Sequence, residues 1–106
     1  MPRFLIEVPH DPNPIACARV IHVFLSTGSH FLTNAEWGCK DDVHKAWMLV
    51  DVDNKHDALA IVPPMFRHEA RVVQVKHFTM AEIEPTIRKH GALAAAADKT
   101  EKTPRG

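Results

Sequence analysis

Two separate stretches of this chain repeat the same period-two alternation, and that repetition narrows the fold more than any other feature. In Arg3-Phe4-Leu5-Ile6-Glu7-Val8 the apolar side chains Phe4, Ile6 and Val8 stand at every second position, and from His44 to Val52 the residues Ala46, Met48, Val50 and Val52 do the same. An extended strand sends successive side chains to opposite faces, so each stretch rests one face on a core. The chain is thereby committed to a sheet with one strongly apolar side. The segments between the strands must cover that side or turn the chain.

The first strand is stopped by Pro9-His10-Asp11-Pro12-Asn13-Pro14, whose prolines continue neither a ladder nor a helix interior. Pro14 suits the first turn of a helix capped by Asn13, and from Ile15 to Thr27 the apolar residues recur at helical spacing until Gly28. Ala16, Cys17, Val20, Val23 and Phe24 form its apolar stripe, with Arg19, His22 and Ser26 opposite. A second strand is expected from His30 to Cys39. The loop Lys40-Asp41-Asp42-Val43 then makes it the antiparallel partner of His44 to Val52. Asn54 caps a short helix from His56 to Val62, ended by Pro63-Pro64, and Arg71 to Phe78 reads as a fourth strand. Thr79-Met80-Ala81-Glu82 has capping-box spacing, and Pro85 is expected to kink or split the helix that follows.

With 106 residues, 45% of them hydrophobic and 25% charged, one core is the expectation. It is assigned to residues 1–90, and residues 91–106 read as a flexible tail with little to bury. The order strand, helix, strand, strand, helix, strand is the split βαβ arrangement of a ferredoxin-like α+β fold, with a four-stranded antiparallel sheet. Thirteen basic residues balance thirteen acidic ones, so no net field favours nucleic acid or an anionic membrane as partner. Without a membrane-length apolar run or a signal-peptide pattern, a cytoplasmic protein is expected.

Extending the alternation to the fourth strand puts Val73 and Val75 under the helices and leaves a mixed opposite face. That face holds Leu5, Glu7, Lys45, Trp47, Leu49, Val72, Gln74, Lys76 and Phe78. It is too apolar for water alone and too polar for a helix-covered core. If Glu36 opposes Trp47 and Trp37 opposes Ala46, the mixed face also gains His30, Leu32, Asn34 and Glu36. Such a face meets a ligand or a second subunit.

The element order, together with Arg19-x-x-His22 followed by Leu25 and Gly28 on the first helix, resembles the dimeric α/β-barrel superfamily over about residues 3 to 84. That superfamily includes the YCII-related and muconolactone isomerase-like proteins. The resemblance implies a homodimer whose sheets pack face to face around a lumen, and it singles out His22, which the helical wheel places on the solvent side. The expected activity is the binding of a small organic molecule in that lumen, extending to isomerisation or another proton transfer. Glu7 or His30 would be the base, Asn34, Glu36 and Gln74 the polar groups of the pocket, and Trp47 its apolar wall. The alternative is a non-catalytic interaction or sensing protein whose mixed face only makes the dimer.

Eight histidines raise the question of metal, but their positions contain no HxxH, HxxxH or HExxH. The two cysteines, Cys17 and Cys39, form no CxxC and read as reduced thiols. Cys39 and His44, flanking the hairpin loop, offer two ligands to zinc or copper. Two ligands do not make a site, and the favoured reading is a packed thiol beside a strand-end imidazole.

Overall fold

The computed structural model describes residues 1–91 and divides the chain after Lys76. The unit Met1–Lys76 contains β1 (Arg3–Pro9), α1 (Pro14–Ser26), α2 (His30–Thr33), β2 (Glu36–Trp37), β3 (Lys45–Asp51), α3 (Lys55–Ile61) and β4 (Arg71–Val75). Two 3-10 turns, Cys39–Asp41 and Pro64–Glu69, join them. The strands form one antiparallel sheet in the order β2-β3-β1-β4, an α+β architecture compatible with the ferredoxin-like fold.

The alternation in β1 and β3 does what its period requires. Phe4, Ile6, Val8, Ala46, Met48 and Val50 are all buried, and they share one cluster with Val20 and Phe24 of α1, Leu32 of α2, Ala58 of α3 and Val62. Asn13 caps α1 through its side-chain oxygen, which accepts from the amides of Ile15 and Ala16, with Pro14 in the first turn. Asn54 caps α3 in the same way by accepting from Asp57.

Three expectations need correction. Residues His30–Thr33 are helical rather than extended, because Ser29 Oγ accepts from the Leu32 amide and the resulting turn carries Leu32 into the core. The second strand therefore shrinks to Glu36–Trp37, although its expected register, Glu36 opposite Trp47 and Trp37 opposite Ala46, is present. In β4 the faces are exchanged: Val72 lies opposite Ile6 and Gln74 opposite Phe4, so these two take the helix side. Val73, opposite Leu5, falls on the other face. β1 decides this register, since pairing with Ile6 lets Val72 pack on the core. The third correction concerns α4 (Met80–Lys89) of the second unit, which is continuous through Pro85. Its capping box is as expected, with Thr79 and Glu82 each accepting from the other's amide. The expected tail lies, apart from Gly91, outside the described residues.

Candidate metal centre

The β1–β3 register determines where the first two candidate ligands stand. Pro9 pairs with Lys45, and the ladder runs one step further as the His10 amide donates to the His44 carbonyl at 3.0 Å. The two imidazoles consequently meet edge to face, with ring centroids 5.6 Å apart. Trp37, on the helix side of β2, closes one flank with its ring centroid 5.7 Å from that of His10 and 4.9 Å from that of Phe24. Asp11 is occupied by the turn, accepting from the Asn13 amide at 2.8 Å.

Cysteine arrives from two other elements. Cys17 lies in the first turns of α1, its amide donating to the Asn13 carbonyl, on the stripe that faces the sheet. Cys39 opens the 3-10 turn that follows Gly38. That turn is tightly tied: Gly38 N–H donates to the Lys45 carbonyl, while the Asp41 and Val43 amides both donate to the Gly38 carbonyl. Asp42 takes the left-handed conformation that ends the turn (φ 62°), a region Asp enters more readily than most residues.

Together His10, Cys17, Cys39 and His44 present four ligand atoms, all within 4.8 Å of one another. The Cys17 thiol donates to Cys39 Sγ at 3.3 Å, and Cys39 Sγ is 3.3 Å from His10 Nε2. Zinc held at about 2.3 Å by sulfur and about 2.0–2.1 Å by nitrogen requires ligand-to-ligand separations of roughly 3.3–3.8 Å. The four residues thus need only small side-chain movements to surround such an ion. His44 Nε2 pairs with Asp42 Oδ1 at 3.1 Å, and its other ring nitrogen, Nδ1, is buried with no hydrogen-bond partner among the described residues. A carboxylate on one ring nitrogen that leaves the other to a metal is the usual outer-shell arrangement of zinc-binding histidines. His10 Nδ1 is likewise buried and unpartnered among the described residues.

The electrostatics of the corner favour neutral groups. Burial first, then the adjacent Cys17 thiol, push the Cys39 thiol above its ordinary value. Burial, then the neighbouring His44, lower that of His10, with Asp11 opposing. Two thiolates would balance a divalent cation, so the complete unit suits a half-buried position.

The other face of the sheet carries most of the residues expected to form a pocket. Across the strands, Glu36, Trp47, Glu7 and Arg71 form one row, and Leu49, Leu5 and Val73 the next. Leu5, Asn34, Glu36, Trp47 and Leu49 line one open depression, and His30, Asn34, Leu49 and Asp51 contribute to a neighbouring one. Gln74 is separated from them by its register. Glu7 accepts from Trp47 Nε1 and from Lys45 Nζ, each at 3.1 Å, and these bonds hold its carboxyl below the ordinary range, the Trp47 bond foremost. A carboxylate stabilised in this way is a weaker base. His30 and Asn34 are tied locally, the Asn34 amide donating to the His30 carbonyl at 2.7 Å. His22 is exposed on α1.

Of these four residues, the sequence reading weighs Cys39 and His44 as a pair, favours a packed thiol there, and does not join His10 and Cys17 to them. The available signals were the sheet-facing position of Cys17 and the place of His10 one residue beyond a paired strand. No family model, no curated protein and no solved structure matches the chain.

Proposed function

We propose that this protein binds one thiophilic metal ion, of the zinc type, through His10, Cys17, Cys39 and His44. The observation that carries this reading is the convergence of two thiols and two imidazoles, from four segments, within 4.8 Å. Borderline and soft ligands of this kind select zinc or copper(I) over magnesium or calcium. Four protein ligands complete a tetrahedron and leave no position for substrate, so the ion's role is structural: it ties the end of β1 to α1, the 3-10 turn and β3. Titration of the reduced full chain with Co2+ tests this. One equivalent should bring up the intense visible bands of four-coordinate cobalt together with sulfur-to-cobalt charge transfer, both lost on adding Zn2+, with the charge transfer reduced to about half in Cys39→Ser, which retains one sulfur. The exposed His22→Ala variant should titrate like the parent. Weak octahedral bands alone would overturn the reading.

The open sheet face favours a second, compatible reading. Leu49 is 61% exposed and Val73 44%, with Leu5 between them. An apolar row of that kind marks an interaction surface. We infer that two copies pair through this face, as in the dimeric α/β barrels, with a small organic molecule taken up beside Trp47 and Asn34. Sedimentation velocity at micromolar concentration should give a dimer that Leu49→Lys disrupts; a monomeric parent would contradict the pairing.

A further inference from the structure

Both sulfurs of the metal centre belong to the only two cysteines in the chain. They are free thiols, each partly exposed, with Sγ atoms 3.3 Å apart. They come from separate elements, α1 and the turn after β2. Sulfurs this close are within reach of disulfide geometry through side-chain rotation and small backbone adjustment. A small-molecule oxidant can reach them from solvent.

Resting on the metal-centre reading, we propose that the site is under thiol redox control: a low-molecular-weight disulfide converts Cys17 and Cys39 into one intrachain disulfide and thereby expels the metal. The exchange balances without any further reactant. One protein sulfur attacks the external disulfide, forming a mixed disulfide and releasing one small thiolate. The second protein sulfur then attacks the mixed bond, closes Cys17 to Cys39 and releases the other small thiolate. The two cysteines lose two electrons, the external disulfide gains them, and two protons from solvent make the leaving thiolates into thiols. The metal, left with only His10 and His44, loses both anionic ligands and dissociates. A dithiol reductant reverses each step and restores four ligands.

Two features make this more specific than general cysteine oxidation. No third cysteine competes, so the intrachain product is the same for every molecule. The metal and the disulfide also claim the same two sulfurs, so their states exclude each other.

The experiment takes the full chain loaded with one Zn2+ and treats it with oxidised glutathione, following zinc release with a chromophoric chelator and the chain by intact mass. The expected result is one zinc released per chain, in step with a mass loss of about 2 Da, and both reversed by dithiothreitol. In Cys17→Ser, Cys39 should instead accumulate a single glutathione adduct, since no partner sulfur is present to displace it. Zinc that stays bound while the thiols oxidise would overturn the inference, as would interchain disulfides or stable double adducts in the parent chain. A chain that retains no zinc before any oxidant is added shows a different failure, that of the metal-centre reading itself.

Discussion

Gly38→Ala is the substitution that most sharply tests how the 3-10 turn is built. A methyl group at this position would stand 2.7 Å from Trp47 Cζ3, 2.8 Å from Trp47 Cη2 and 2.7 Å from the Val43 carbonyl oxygen. Gly38 has φ −96° and ψ 10°, which alanine adopts without strain, so the conflict is one of space. Neither neighbour yields easily. The Val43 amide is hydrogen-bonded to the Gly38 carbonyl, and the Trp47 indole is held by its bond to Glu7. Overpacking of this kind costs about 1–3 kcal/mol, against a gain of about 0.4–1 kcal/mol from restricting the unfolded chain. The net expectation is a loss of roughly 1.5 kcal/mol, or about 6–12 °C in Tm for a domain of this size. Urea unfolding of the metal-free chain, followed by tryptophan fluorescence, measures the first and thermal circular dichroism the second. Because Cys39 is the next residue, Zn2+ affinity should fall as well. A Gly38→Ala protein as stable as the parent, or more stable, would refute the close approach of Trp47 to this turn.

Asp42→Asn keeps a residue that tolerates the left-handed conformation but removes the carboxylate paired with His44 Nε2. Competition with a zinc chelator should show affinity lowered by about 10- to 100-fold, with the stability of the metal-free chain little changed. Glu7→Gln should cost about 1–2 kcal/mol near neutral pH, from the Trp47 and Lys45 bonds to the charged carboxylate. Since folding lowers the Glu7 pKa, the unfolded chain takes up the proton first on acidification. The advantage of the parent is thus complete above the ordinary carboxylate range and shrinks as pH falls through the lower, folded value. A stability gap that stays constant or grows from neutral pH to pH ~3 would contradict that assignment.

The parts of the fold legible in the sequence are those governed by one strong periodic signal. β1 and β3 alternate without interruption, so their buried faces follow directly. β4 carries valine at positions 72, 73 and 75 around Gln74, so both faces hold an apolar residue and no alternation chooses between them; only pairing with Ile6 and Phe4 does. In the segment after Gly28, Ser29 capping the Leu32 amide outweighed the extended tendency of its neighbours. The cluster proposed as a metal centre was half visible for a related reason. Its four residues are not spaced along one helix or one turn but meet because a strand register, a helix stripe and a loop converge, and the sequence alone does not set that register.

X-ray absorption at the zinc edge on the reduced, zinc-loaded full chain tests the proposed coordination of the ion most directly. The four-residue site should give a first shell of two sulfurs at about 2.3 Å and two imidazole nitrogens at about 2.0–2.1 Å, with one sulfur lost from that shell in Cys17→Ser. A shell of oxygen and nitrogen alone, or one unaltered in Cys17→Ser, would contradict the assignment of His10, Cys17, Cys39 and His44 as a metal centre.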